Sequence, residues 1–295
     1  MTQPARGGRV TLIGPMARTP LARTTIREAL DSALIALTAS GCDTPRLDAE
    51  VLLAAAMGVD RAIVISDPNR GLEPDEARRF QEYARRRVQR EPVAYILGRK
   101  GFRTIELEVD RRVLIPRPET EHLVEAALDL PQNARVVDVG TGSGAVALAL
   151  KTERPDLDVI ATDASAEALA VARANAARLG LDVAFLEGDL LDPVDGPLDA
   201  VLSNPPYVAE TDRASLAPDI TSHEPEVAVF AGTDGLDLVR RLIPQAAATG
   251  AAMIAVEVGI GQAAAVADLM REAGFPDAGV TADLAGIDRI VMGRR

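Results

Sequence analysis

The 295-residue chain has no tryptophan, one cysteine (Cys42), two histidines (His122 and His223) and two lysines (Lys100 and Lys151). A single thiol excludes an internal disulfide framework, and so few histidines and cysteines leave no cluster of metal-ligand type, so no metal is expected. A reducing cytoplasm fits that usage. No apolar run approaches the roughly 18 to 20 uncharged residues of a membrane span, and no apolar segment near the N-terminus is long enough for a signal peptide. The leader over 1–24, rich in Gly, Pro and Arg, is expected to be a flexible tail.

What is present, 47% hydrophobic and 26% charged residues, describes a globular chain able to bury a sizeable core in one large or two smaller domains. Its net charge of −12 is unevenly spread: residues 1–120 carry 20 basic and 16 acidic side chains, and 121–295 carry 12 and 28. An acidic C-terminal half is a poor surface for phosphate backbones, so direct nucleic-acid binding is not expected.

From Thr25 to about Glu91 the pattern is helical. Ile26, Ala29, Leu30, Ala33, Leu34 and Leu37 keep a three-to-four spacing that Gly41 stops. A second helix is expected over Leu47 to Met57 and a third over Asp75 to Arg90, acidic at its start and basic at its end. These make residues 25–91 a small helical bundle, with the arginine-rich end of the third helix expected to be a solvated terminus. Over 92–117 the period changes to two: Ile105, Leu107 and Val109 share one face and Thr104, Glu106, Glu108 and Asp110 the other, as in half of a β-hairpin linker. Beyond Pro118 short apolar runs alternate with amphipathic helices, which predicts a doubly wound α/β domain with a parallel sheet over 118–295.

The first strand of that domain, VVDV from Val136 to Val139, runs into GTGSG, Gly140 to Gly144, and then a helix. Glycine lets the backbone turn tightly and lets a ligand approach with no Cβ in the way. With Gly140, Gly142 and Ala145 as small positions the loop also satisfies the dinucleotide fingerprint, so alone it does not separate NAD from other adenosine cofactors. Asp163, ending the second strand 19 positions past Gly144, is placed to accept hydrogen bonds from ribose hydroxyls or to start a helix. In EGDLLD after the third strand, Asp189 can accept from an adenine amino group and Leu190 can cover the base.

A fourth strand, Leu198 to Leu202, ends in SNPPY, Ser203 to Tyr207. The tetrapeptide NPPY is expected by chance in such a chain on the order of once in a thousand. Two prolines remove two N–H donors and fix φ, leaving carbonyl acceptors without competing donors. The Asn204 side-chain oxygen and the Pro205 carbonyl can each take one hydrogen of a planar NH2 group, with Tyr207 against its π face. That suits an amide or an aminopurine nitrogen, whose delocalised lone pair must be aimed at a strong electrophile such as a methyl sulfonium.

The loop Asp138 to Gly144, Asp163 and the corner Asn204 to Tyr207 together resemble class I S-adenosylmethionine-dependent methyltransferases of the amino-group type. PRLDAEVLL (Pro45 to Leu53), PVAYILG (Pro92 to Gly98), VLIPRPETE (Val113 to Glu121), HEP (His223 to Pro225), GLD (Gly235 to Asp237) and DLAGIDR (Asp283 to Arg289) resemble one branch, the HemK-type release factor glutamine methyltransferases. Residues 1–24 have no recognised counterpart, and ATGA, Ala248 to Ala251, stands where a Pro-Gly-Gly turn is often found.

The resemblance implies methylation of the side-chain amide nitrogen (N5) of the glutamine in the Gly-Gly-Gln motif of class I peptide chain release factors, with S-adenosylmethionine consumed and S-adenosylhomocysteine released. It implies that Gly140, Thr141, Gly142, Ser143 and Gly144 cradle the cofactor, that Asp163 holds the ribose, and that Leu190 lies near the adenine; the resemblance leaves Asp189 either as the partner of the adenine amino group or as part of a polar strand-end loop. Asn204, Pro205, Pro206 and Tyr207 would hold the glutamine amide, Asn204 beside the cofactor, with Arg117 and Glu119 near the entrance and the helical domain docking the protein. An enzyme acting on adenine N6 in DNA or RNA is the alternative within this chemistry, because a flipped adenine fits the same acceptors. A binding protein without turnover is the alternative outside it.

Overall fold

The computed structural model describes residues 24–295, so the expected tail lies outside the described residues apart from Thr24. The described chain divides into two compact units, one of residues 24–39 and 43–84 and the other of 40–42 and 85–295.

In the first unit, α1 (Ile26–Ala39) buries Ile26, Ala29, Leu30, Ala33 and Leu37, the stripe its spacing predicts. Helix α2 (Pro45–Met57) starts with proline in its first turn and ends on Gly58 at φ 66°, whose N–H closes the last turn on Ala54 and Ala55. Arg79 adds two guanidinium bonds to the Ala56 carbonyl at 2.6 and 2.9 Å, satisfying another orphan acceptor of that helix end. Helix α3 (Arg61–Ser66), capped by Asp60 on the Ala62 N–H, has no counterpart in the sequence reading because six residues are too few to show a period. Helix α4 (Pro74–Val88) has Asp75 and Glu76 in its first turn and Arg85, Arg86 and Arg87 in its last, as the dipole favours.

That basic end is not the solvated terminus expected of it. Arg86 forks onto the Glu91 carboxylate at 2.7 and 2.8 Å, and Arg87, 4% exposed, shares Asp219 with Arg90. Their acidic partners lie beyond the helix, where its own periodicity carries no trace of them.

The second unit opens with the short α5 (Val93–Leu97) and a hairpin of β1 (Arg99–Phe102) and β2 (Ile105–Glu108), paired antiparallel. Ile105 and Leu107 are buried and Glu106 and Glu108 exposed, the alternation read from the sequence. Helix α6 (Glu121–Ala127) leads into the sheet domain: β3 (Arg135–Val139), α7 (Ala145–Glu153), β4 (Asp158–Asp163), α8 (Ala166–Leu179), β5 (Ala184–Glu187) and β6 (Ala200–Ser203). The short α9 (Pro218–His223), α10 (Asp237–Ala248), β7 (Met253–Glu257), α11 (Ala263–Glu272), β8 (Asp277–Ala282) and β9 (Asp288–Arg294) follow.

Seven strands form one sheet in the order β5-β4-β3-β6-β7-β9-β8, parallel through β7 and antiparallel from there. Neighbouring strand residues face opposite ways. Val136, Ala161, Leu202 and Ala255 pack in one core with α6, α7, α8 and the hairpin, while Val137, Ile160, Val201 and Ile254 pack in the other with α10 and α11. This is the expected doubly wound α/β domain, with one difference. Strand β8 carries no apolar run because it is the exposed edge, so neither it nor the antiparallel pairing was visible in the sequence. The chain reverses direction across the sheet between β5 and β6, placing β6 beside β3 and opening a crevice at their carboxyl ends.

Candidate active site and cofactor cleft

Gly140, Gly142 and Gly144 take φ of 74°, 56° and 85°, left-handed values that side chains avoid. The N–H groups of Gly140 and Thr141 both donate to the Thr162 carbonyl, at 2.9 and 3.0 Å, and Gly142 N–H donates to Asp163 Oδ2 at 2.9 Å. Asp163 Oδ1 also accepts from Ser165 N–H at 2.9 Å, so its carboxylate is fixed on both sides while burial raises its pKa. The turn is thereby stitched to the end of β4.

Thr141, Ser143 and Gly144 face inward and build the frame. The Thr141 hydroxyl donates to Asp138 Oδ2 at 2.6 Å, which also accepts from Ala147 N–H at 3.2 Å in the first turn of α7. Asp138 is 2% exposed, and burial pushes its pKa up to about 6. Asn175, wholly buried on α8, donates to the carbonyls of Ser143 and Glu108, each at 3.0 Å, and accepts from Glu108 N–H at 2.7 Å. One amide ties the glycine turn to the hairpin.

A largely apolar cavity of about 480 Å³ opens above this frame. Gly140, Gly142, Asp163, Asp189, Leu190, Asn204, Pro205 and Pro206 line it; Thr141, Ser143, Gly144, Tyr207, Arg117 and Glu119 do not. Leu190, at φ 51°, is held in place by Thr162 Oγ1 donating to its carbonyl at 2.9 Å. The half-exposed Asp189 carboxylate is paired with Arg241.

On the facing strand, Ser203 Oγ donates to the Val139 carbonyl at 2.8 Å and pins the end of β6 to β3. Asn204 Nδ2 then donates to Thr120 Oγ1 at 3.0 Å, which leaves Oδ1 without a hydrogen bond among the described residues. Next to it, Pro205 is buried, and no backbone or side-chain donor among the described residues reaches its carbonyl. Tyr207 sits behind the wall. Its carbonyl accepts from Gln262 Nε2 at 2.9 Å, its hydroxyl lies 3.4 Å from Glu257 Oε1, and burial raises its pKa to about 12. A Cβ on Gly235 would fall 2.1 Å from that carbonyl, so only glycine fits there.

Arg117 is occupied by Glu224, with Nη2 at 2.6 and 2.8 Å from the two carboxylate oxygens; Glu224 is 6% exposed and burial raises its pKa. Glu119, partly buried, repels Glu257 and attracts Arg289. Five residues that build the site, Thr120, Asp138, Asn175, Glu224 and Glu257, were given no role from the sequence. A lone acid inside VVDV and inside MIAVEV marks Asp138 and Glu257, whereas nothing local marks Thr120.

Residues 28–98 match the PrmC N-terminal domain model and 119–227 the methyltransferase small domain model. The release factor glutamine methyltransferase of Koribacter versatilis is 42% identical over 278 residues, covering 92% of this chain and 99% of the relative. That of Deinococcus radiodurans is 41% identical over 276 residues, covering 92% and 98%.

The chain belongs to the release factor glutamine methyltransferase family.

Its likeness to the crystal structure of the hMettl16 catalytic domain with a MAT2A 3′UTR hairpin, at TM-score 0.55 and 18% identity over 68% of this chain and 78% of that one, is a likeness of fold. As a methyltransferase of this family the protein uses S-adenosylmethionine, and the cleft suits that cofactor. A Cβ built on Gly140 or Gly142 would meet nothing within 4 Å, so both glycines leave open space on the cavity floor. A fixed carboxylate, Asp163, and a buried apolar side chain, Leu190, line the same cavity.

Proposed function

We propose that the protein methylates the side-chain amide nitrogen, N5, of the glutamine in the Gly-Gly-Gln motif of class I peptide chain release factors. The observation that carries this is the meeting of the glycine turn of β3 and the NPPY corner of β6 on one cavity, within a chain alike over nearly its whole length to release factor glutamine methyltransferases.

Gly140 through Gly144 cradle the cofactor by backbone shape, with Asp163 holding the ribose and Asp189 and Leu190 beside the adenine. S-adenosylmethionine supplies a methyl group on a sulfonium, a strong electrophile, and leaves as S-adenosylhomocysteine. Asn204 Oδ1 and the Pro205 carbonyl each accept one hydrogen of the glutamine amide. This aims the nitrogen and favours its electron-rich, pyramidal form, while Pro206 shapes the corner and Tyr207 braces it from behind, short of the amide face expected of it. Arg117, braced by Glu224, and Glu119 shape the approach to the corner. Residues 25–91 help to dock the release factor, 92–117 link, and 118–295 carry the transfer. Among the described residues no helix is long and apolar enough to cross a membrane and no side-chain cluster suits a metal. A reducing cytoplasm, where release factors act, suits the single thiol.

Incubation with S-adenosylmethionine and a release factor, followed by peptide mass spectrometry, tests the proposal. One added methyl on the Gly-Gly-Gln glutamine is expected. Transfer that survives replacement of that glutamine, or methylation of adenine in DNA or RNA instead, would overturn it.

A further inference from the structure

Glu257 closes β7 behind the NPPY corner, 2% exposed, and its Oε2 has no hydrogen-bond partner among the described residues. A buried carboxyl with one oxygen unpaired by protein costs stability, so its place at a site edge calls for a role. The groups that face it come from three elements. Tyr207, on the corner, brings its hydroxyl to 3.4 Å from Oε1; Thr120 and Glu119, on the turn before α6, add a stabilising hydroxyl and a repelling charge; Arg289, on β9, attracts it while paired to Asp283 at 2.9 Å. Burial outweighs the donors and raises the Glu257 pKa to about 7.

Thr120 connects this acid to the corner. Its oxygen accepts from Asn204 Nδ2 at 3.0 Å, so its own proton is free to be donated, and Thr120 is among the groups that favour the Glu257 anion. Of the two ends of the NPPY corner, Tyr207 thus reaches the carboxylate directly and Asn204 is held by the Thr120 hydroxyl, whose free proton can be given to that carboxylate.

We infer that Glu257 is a positioning residue for the methyl acceptor: as an anion it takes the hydroxyl protons of Thr120 and Tyr207 and so keeps Asn204 with its NH2 turned inward and Oδ1 turned to the incoming amide. When protonated, Glu257 becomes a donor to the same hydroxyls and competes with Asn204 for the Thr120 oxygen, and the amide loses its fixed rotation. Transfer then rises with pH as Glu257 ionises. The kinetic part of this inference rests on the glutamine substrate proposed above; the hydrogen-bond linkage does not.

The test is a carbon-13 NMR titration of protein labelled at glutamate carboxyls, with Glu257 assigned as the resonance missing from Glu257→Gln. The expected midpoint lies near 7, and Thr120→Val and Tyr207→Phe each move it upward because each removes a donor to the anion. In the rate assay the parent turnover should rise through the same midpoint. Glu257→Gln should lower turnover roughly tenfold to a hundredfold and abolish that inflection, with cofactor affinity within about twofold by calorimetry and an unchanged circular dichroism spectrum. A midpoint in the ordinary carboxylate range, a midpoint unmoved in both hydroxyl variants, or Glu257→Gln with parental turnover would overturn the inference. A shifted, coupled titration in a protein that transfers no methyl to a Gly-Gly-Gln glutamine would support the linkage and overturn the substrate alone.

Discussion

Val139 and Ser203 are paired at the ends of β3 and β6, and the Ser203 hydroxyl donates to the Val139 carbonyl at 2.8 Å. The residues that follow them, Gly140 and Asn204, therefore start from strands only about 4.8 Å apart. The glycine turn and the NPPY corner share one wall, and the substitution that separates the roles proposed for them is at Asn204. Asn204→Ala is expected to lower turnover about 10²- to 10³-fold, the cost of losing one fixed group aimed at a reacting centre. Calorimetric affinity for S-adenosylmethionine should fall less than about tenfold. Equal losses in both measurements would make Asn204 chiefly a cofactor residue.

Two glycines of the same turn are expected to fail differently. Alanine at Gly140 or at Gly144 meets the same left-handed strain, about 1–2 kcal/mol. At Gly144 the added Cβ also lies 2.8 Å from Leu148 Cδ1, whereas at Gly140 it enters open space. Gly144→Ala should thus lower the melting temperature more than Gly140→Ala, and Gly140→Ala should act mainly on cofactor affinity. Scanning calorimetry with and without S-adenosylmethionine separates the two.

Asn175→Leu is expected to destabilise the second unit by about 2–5 kcal/mol, because it strands the Glu108 N–H and the carbonyls of Glu108 and Ser143 in a buried setting. Denaturant unfolding measures the loss. Faster hydrogen exchange at the Glu108 amide would localise it to the bridge between hairpin and glycine turn.

Stability should fall as pH rises from about 5.5 to 7, above the range in which Glu91, Glu125 and Glu153, whose pKa values are lowered by arginine and histidine partners, gain stability from ionising. Asp138 and Glu257 have folded pKa values raised by burial to about 6 and about 7, above their ordinary carboxylate values. Within that window the folded protein holds more protons than the unfolded chain, so each unit of pH weakens it, by at most roughly 1.4 kcal/mol per group. Asp156 and Asp234, held at about 2 by Arg154 and Arg240, titrate below the window. Urea midpoints measured across it should decline, and Glu257→Gln should flatten the upper part of the slope.

The parts of this site that were legible in the sequence are those written in consecutive residues at strand ends. GTGSG and NPPY are short, improbable strings, and the rules of open α/β sheets place their strands side by side. The supporting contacts were not legible because they join distant segments. Asn175 reads as one more polar position on α8, yet its partners are 32 and 67 residues away in Ser143 and Glu108. Tyr207 and Glu257 are 50 residues apart, and Asn204 and Thr120 are 84 apart. Helix α3 was missed because it is shorter than two turns, and β8 because an exposed edge strand needs no apolar face.

The position of β9 between β7 and β8 bears on how the protein is made. During synthesis β7 leaves the ribosome more than thirty residues before β9, carrying Glu257 and an open, apolar edge. Until residues 288–294 emerge, that edge is free to pair with another nascent chain, and β8 has nothing to pair with. Folding of the catalytic sheet is therefore closed by a late insertion from the C-terminal side, and a chain cut before Asp288 would lose an interior strand and leave both β7 and β8 unpaired along that side.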